Sequence, residues 1–352
     1  MIYLTRLLIF KLLICCLVFA LLWKYLHITT MNVDKEIIYL KNFAPDCHAK
    51  PIDDWHTALN DDSQSTFQTF FRHVTAERNS SYPFVSGDTF RALADHIFDE
   101  TTEVTKWPDR MWEIGQGDIV FVQSEKKMLQ QFFLNSTFNR ISHPFILVTH
   151  NSDASVPPQE YKWVLNDRRI LAWFTQNPSM THERLFPVPI GVANARWPHG
   201  NVTVFRRAFY TYRKPFYQRT TLLYVNVQVE TNKDVRSRAL KWALNLHGVK
   251  QNKIVSVETY LQELGNAKFV LSPPGNGLDC HRTWEALLMG AVPIVLRSYL
   301  DPLFLNQTVL VVDDWNQLSM NYLQSLDYKL VPSRLLLAKY WHRRFLDAAG
   351  RN

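Results

Sequence analysis

The sequence lacks the short signatures that assign a nucleotide enzyme at sight. No Gly-x-x-x-x-Gly-Lys-[Ser/Thr] run occurs, which argues against a P-loop nucleotidase. No Gly-x-Gly-x-x-Gly opens a helix, which disfavours a dinucleotide enzyme. Internal repeats and low-complexity tracts are also absent, so neither a solenoid nor a largely disordered chain fits. No basic, aromatic-interleaved motif is present, and nucleic acid is not expected as a partner. Cysteine is scarce: of four, Cys15 and Cys16 lie in an apolar N-terminal run, leaving only Cys47 and Cys280 to form a bridge or remain two free buried thiols. Close carboxylate pairs are few, at Asp53-Asp54, Asp61-Asp62 and Asp313-Asp314, so no metal site and no cofactor are expected.

What is present describes a folded protein on a membrane anchor. With 47% hydrophobic and 20% charged residues, the chain has the composition of a globular protein, and about 300 residues beyond the first stretch are enough for two cores. The net charge of +7 suits an anionic ligand. Leu7 to Trp23 is apolar except for Lys11, and at 1.5 Å per residue it spans about 25 Å, enough for a thin bilayer. No small-x-small cleavage site follows it, so residues 7–26 read as an uncleaved signal-anchor with a tail at 1–6 and a stem at 27–65. Flanking charges do not settle the orientation, but the short tail places the long part in the lumen. Asn79, Asn135, Asn201 and Asn306 head N-x-S/T triplets, compatible with that compartment.

Beyond the stem the chain alternates short apolar runs with amphipathic ones. Asp118 to Gln123, Phe145 to Thr149 and Ile170 to Thr175 read as strands, with a helix from Glu125 to Phe133 between the first two. A Pro/Arg/Tyr-rich stretch from Ala193 to Thr220 interrupts this series. A second begins at Thr221, with a helix near Asp234 to Leu246, a strand Lys253 to Val257, a helix Thr259 to Leu264 and a strand Lys268 to Ser272. This is βαβ grammar twice over, giving an N-terminal domain at 66–215 and a C-terminal one at 216–332 whose strand ends face a shared cleft. Ser333 to Ala349 reads as an amphipathic helix, in a terminal segment 333–352, able to pack back across both.

The chemistry concentrates in Lys268 to Leu296. A strand ends at Ser272, Pro273-Pro274-Gly275-Asn276-Gly277 turns tightly, and Asp279 is placed to cap a helix that stops at Gly290. Such a loop offers backbone N–H groups and a helix N-terminus to a phosphate. Arg282, in the first turn, adds a bidentate donor, and Glu285 can accept from ribose hydroxyls.

Gly275 through Pro293, with Arg282, Glu285, Gly290 and Pro293 in phase, resembles the donor-binding motif of exostosin-like glycosyltransferases. Thr221 to Val227, with Thr231-Asn232 and Arg236, is similar to the start of that family's C-terminal domain, and Pro189-Ile-Gly-Val to the segment leading into it. The resemblance implies an α/β GT-B-like fold of two Rossmann-type domains, and a Golgi or ER type II membrane glycosyltransferase. It implies a nucleoside diphosphate sugar as donor and a glycan or glycoprotein as acceptor. Donor contacts would come from Asn226, Arg236, Ser272, Gly275, Asn276, Gly277, Asp279, Arg282 and Glu285. Cys280-His281 stands where that pattern usually shows a Ser before its Arg. A fucosyltransferase-like enzyme using GDP-fucose is the second reading, although its usual Glu-Lys pair is missing. A catalytically inactive binding protein is the third. A base would come from the first domain, where His150 and Asp153 follow a strand end, although loop capping also accounts for both.

The lumenal orientation is testable in sealed microsomes. Protease should spare the globular part until detergent is added, and digestion without detergent reverses the assignment.

Overall fold

A computed structural model describes residues 59, 71–251, 255–328 and 333–351. The expected anchor and most of the stem, Cys47, Asp53-Asp54 and Asp61-Asp62 lie outside the described residues. Among the described residues no helix is long and apolar enough to cross a membrane.

Two five-stranded sheets carry the fold. The first is made of β1 His96–Phe98, β2 Ile119–Gln123, β3 Phe145–His150, β4 Ile170–Thr175 and β5 Leu185–Pro187, all parallel and in sequence order. Every residue of β2 and β3 is buried, as parallel strands covered on both faces require. Phe98, Trp107, Phe132, Phe133, Phe138 and Trp173 fill one side of this sheet. On the other side α1 Gly87–Ala92 brings Phe90 to the terminal helix. The helix predicted after β2 forms as α2 Lys126–Phe132.

The second sheet comprises β6 Thr221–Val225, β7 Val249–Gln251, β8 Ala267–Leu271, β9 Val292–Leu296 and β10 Leu310–Val312, again all parallel, in the order β10-β9-β8-β6-β7. The chain runs from β6 outward to β7, then returns to the opposite side of β6 with β8. The loops after β6 and β8 therefore flank a switch point, the place where open α/β sheets hold ligands. The strand expected at Lys253 to Val257 instead forms earlier, at Val249–Gln251. Val257 is already the first residue of a helix that Ser256 caps, its side chain accepting from Thr259 N–H. Residues 252–254 lie outside the described residues.

Helix α3 Val202–Tyr212 links the halves. Grouped by sequence with the first half, it packs against α5 Val257–Asn266 of the second, and Tyr212 Oη donates to Glu258 at 2.9 Å. Gly265 permits this approach, because a Cβ there would sit 2.3 Å from the Tyr212 carbonyl oxygen. Between α3 and α5 in the chain comes α4 Lys233–Leu244, and α6 His281–Met289 follows β8. Gly290 ends α6 in the left-handed region at φ 74°, as its position predicts.

The last helix, α7 Ala338–Ala348, carries the chain back to the first sheet. Trp341 and Phe345 pack against Phe90 and Phe174, and the Trp341 indole donates to the Leu335 carbonyl at 2.8 Å. Trp341 is fully buried, so Trp341→Ala should lower stability by about 3–5 kcal/mol in denaturant unfolding. A loss below about 1 kcal/mol would mean that this return contributes little to the fold.

Candidate functional site

One tetrapeptide ties the two halves together. Pro189-Ile190-Gly191-Val192 follows β5, and one backbone group of each residue has a defined partner. The Pro189 carbonyl accepts from His150 Nε2 at 3.1 Å, and Ile190 N–H donates to Asp279 Oδ2 at 2.7 Å. The Gly191 carbonyl accepts from His281 Nδ1 at 2.8 Å, and Val192 N–H donates to the Val85 carbonyl at 3.0 Å. Gly191 sits at φ 71°, and a Cβ there would lie 2.1 Å from the Val85 carbonyl oxygen, so only glycine fits.

Asp279 is the centre of this junction. Its side chain is buried and accepts three N–H donors, from Ile190, from the Trp284 indole at 2.7 Å and from Cys280 at 2.8 Å. Its own N–H donates to Asn177 Oδ1 of the first half at 3.0 Å. The sequence placed Asp279 among the donor-binding residues and as the helix cap. The structure puts Cys280 at the cap position and engages the Asp279 carboxylate in the joint.

The loop Pro273 to Gly277 closes the gap from the other side. Gly275 N–H donates to the Gly277 carbonyl at 3.0 Å. With Asp279 and Cys280 N–H also engaged, three of the backbone donors expected to meet a phosphate are already committed. Positive charge comes instead from side chains. Arg236, buried on α4, donates to the Pro274 carbonyl at 2.8 Å and to the Gln228 carbonyl at 2.8 Å. Asn232, which the sequence did not number among the site residues, donates to the Gly275 carbonyl at 2.9 Å and so binds the β6 loop to the β8 loop. Burial lowers the Arg236 pKa, with the neighbouring Arg282 guanidinium adding to the shift. Arg282 is half-buried, its buried Nε has no hydrogen-bond partner among the described residues, and its Nη1 lies 3.9 Å from Cys280 Sγ. Two guanidiniums thus share the switch point, and among the described residues neither has a carboxylate bonded to it.

Glu285 is buried and accepts from Tyr260 Oη at 2.9 Å. Burial raises its pKa, against the opposing charges of Arg282 and His199. Asn226 donates to Tyr224 Oη at 3.2 Å, and Asn276 is exposed at the tip of the loop. Ser272 is buried, within 2.9 Å of Thr283 Oγ and 3.3 Å of Cys280 Sγ, so it supports the loop from inside. Cys280 is a thiol turned toward Ser272, Thr283 and the Pro273 carbonyl, and Cys47, the partner expected to bridge to it, is not among the described residues.

A cleft of about 490 Å³ opens where the first half meets the N-terminus of α6, lined by Glu125, Asn151, Asp153, Arg196, Trp197 and His281 among others. His150 reaches its wall but is spent. Nε2 donates to Pro189, Nδ1 accepts from Asn151 N–H at 2.8 Å, and burial lowers its pKa to about 4, so it is a fixed neutral strut rather than a base. Asp153 is exposed in the cleft, its Oδ1 only 3.2 Å from where a Cβ on Gly277 would stand. His281 was noted in the sequence only as a departure from a pattern. A carbonyl can only accept, so Nδ1 on Gly191 must carry the proton, which leaves the Nε2 lone pair available. Burial lowers the His281 pKa, with Asp153 opposing, so the ring is neutral near pH 7.

Asp313 and Asp314, the remaining metal candidates, have other partners: Asp313 bonds Arg297 at 2.5 Å, and Asp314 accepts from Asn316 N–H in a turn. Among the described residues no cluster of His, Cys, Asp and Glu is arranged to hold a metal. All four N-x-S/T asparagines are exposed.

No family model and no curated protein matches the chain. Among solved structures, it is loosely similar to a chain of the GtfA/B complex, at 12% identity and TM-score 0.35 over 68% of this chain and 58% of that one. AviGT4, a glycosyltransferase involved in avilamycin A biosynthesis, matches at 11% identity and TM-score 0.36 over 70% and 77%. The UDP-GlcNAc 2-epimerase of Methanocaldococcus jannaschii matches at 13% and 0.32 over 69% and 82%. Likenesses this loose carry no weight for function, which rests on the chain's own geometry.

Burial pushes the Asp279 carboxyl up to about 7, against the pull of its three N–H donors. A raised carboxyl stabilises the fold fully below its unfolded pKa near 4, and that contribution is lost as pH rises through about 7. Stability of the wild type should therefore fall between about pH 4 and 7 relative to Asp279→Asn, by up to a few kcal/mol, and level off above that. Parallel stability curves for the two proteins would contradict the assignment.

Proposed function

We propose that this chain is a glycosyltransferase that moves a sugar from a nucleoside diphosphate donor to a glycan or glycoprotein acceptor. The observation that carries the reading is the pair of guanidiniums, Arg236 and Arg282, at the switch point between β6 and β8 without a bonded carboxylate. Two partly buried positive charges side by side, with Glu285 near Arg282 but not bonded to it, suit a dianionic group, and a planar guanidinium fits a diphosphate in two-point contact. Glu285, one turn further along α6 and braced by Tyr260, supplies a carboxylate for hydroxyl groups of the donor.

In an inverting transfer the acceptor oxygen attacks the anomeric carbon. The bond from that carbon to the phosphate oxygen breaks, and its electron pair leaves with the nucleoside diphosphate. The acceptor proton passes to a base on the opposite face. His281 is our choice for that base: neutral, with Nε2 unencumbered, in the cleft and next in sequence to Arg282. Asp153 is the second candidate, and its carboxylate also steadies the imidazolium as it forms. The guanidiniums stabilise the leaving diphosphate, so the proposed reaction needs no metal and should survive chelation. The exostosin-like subclass, the type II anchor and the Golgi or ER lumen belong to this proposal as well, on the strength of the sequence motif and the N-terminal apolar run.

Arg282→Lys keeps a charge but loses the planar fork. It should weaken nucleoside diphosphate binding and lower turnover, with the melting midpoint little changed. His281→Gln should spare nucleotide binding, lower turnover about 10²- to 10⁴-fold and remove the acidic limb of the rate profile, which the lowered histidine pKa places below about pH 6.5. Wild-type binding and turnover in both variants would move the site elsewhere. Tight nucleotide binding without turnover in any acceptor mixture would favour an inactive binding protein.

A further inference from the structure

A second, larger cavity lies on the first half. It is a groove of about 750 Å³ between Phe71, Tyr82 and Trp197, with Asn79, Ser80 and Asn201 among its polar residues. Its size falls within the roughly 300–1,000 Å³ range of small-molecule sites. Arg196 and Trp197 line both this groove and the cleft that holds His281, so the two spaces meet at that dipeptide.

The meeting point is rigidly built. Trp197 N–H donates to the Asn194 carbonyl at 2.9 Å, and Gly200 N–H returns to the Trp197 carbonyl at 2.8 Å, which pins the turn. A Cβ on Gly200 would lie 2.0 Å from the Asn194 carbonyl oxygen, so the turn is closed tightly. Beneath it, Asn194 accepts from Asp88 N–H at 2.8 Å and donates to Asn151 at 3.2 Å. Asp88 is wholly buried, bonds Arg78 through Oδ1 at 2.8 Å, and directs its otherwise unbonded Oδ2 toward Arg196 at 3.8 Å. The Arg196 guanidinium lies 5.2 Å from the centroid of the Trp197 ring, yet the Trp197 side chain remains 49% exposed.

Other large side chains of this protein are as exposed, but Trp197 differs from them in lining both cavities on a scaffold that fixes its backbone. Aromatic rings flanked by amide and hydroxyl groups suit a sugar, whose C–H face stacks on a ring while its hydroxyls bond to amides. We propose that the groove binds the acceptor saccharide, with Trp197 as its stacking platform, and that the chain of sugars runs over Trp197 into the cleft toward His281. The proposal rests on the transferase reading and specifies its acceptor as an oligosaccharide of at least two units. Its terminal sugar reaches the cleft while an inner one lies on the indole.

The full chain in detergent is applied to an array of N-glycan, O-glycan and glycosaminoglycan oligosaccharides, with UDP and GDP binding measured in parallel. Wild type should bind a subset of the glycans, Trp197→Ala should lose that binding by about tenfold or more, and Trp197→Phe should recover most of it. Nucleotide binding should be unchanged in both variants. If Trp197→Ala binds the same glycans as wild type, or if wild type binds nucleotide but no glycan, the groove is not the acceptor site. If instead glycan binding depends on Trp197 while neither nucleotide binds, the groove assignment stands and the donor site fails.

Discussion

The geometry of this protein depends on one buried carboxylate. Asp279 belongs to the second half by sequence, yet its Oδ2 is held by the Ile190 N–H of the first, and its backbone N–H is held by Asn177. Two of the residues proposed to act follow it directly: Cys280 caps α6, His281 enters the cleft, and Arg282 faces the switch point. A buried carboxylate with three N–H donors is directional, so it fixes the distance and the rotation of α6 against the first sheet. Gly277 shows how close the approach is, since a Cβ there would stand 2.8 Å from Asn177 Nδ2.

This joint divides the chemical labour between neighbours along one helix start. Arg282 looks toward the second sheet, where Arg236 waits on α4, while His281 is turned by Gly191 toward the first. A donor diphosphate and an attacking hydroxyl would thus be held by adjacent residues on a single rigid turn. Precision of this kind favours transfer over hydrolysis, because the reacting atoms are placed by the same element. The Trp197 groove would extend the proposed arrangement by giving an acceptor a long approach along the first half.

Much of the fold was legible in the sequence, for a physical reason. Parallel strands buried on both faces are continuous apolar runs, and Ile119 to Gln123, Phe145 to Thr149, Ile170 to Thr175 and Ala267 to Leu271 were all placed within a residue or so. Val249–Gln251 was missed because an edge strand exposes Lys250 and shows no such run. At the site, residue types were legible but their directions were not. Asp279 read as a cap and His150 as a base because both sit at suitable turns. Only the fold shows that a distant chain segment, Pro189 to Gly191, 39 residues from His150 and 89 from Asp279, takes up their hydrogen-bonding atoms. The same segment gives His281 its role, and no local pattern around His281 could reveal a partner so far off in sequence.

The central claim is that the β6–β8 switch point is a diphosphate site built from Arg236 and Arg282. The most direct test is the melting midpoint of the chain against a series of UDP, GDP, CDP and ADP, their monophosphates and their free nucleosides. Binding to the folded state alone raises the midpoint with ligand concentration. The account predicts that at least one diphosphate raises it, that its monophosphate does so less and its nucleoside hardly at all, and that Arg282→Lys blunts the difference. A midpoint indifferent to every diphosphate, or raised equally by nucleosides and diphosphates, would contradict it.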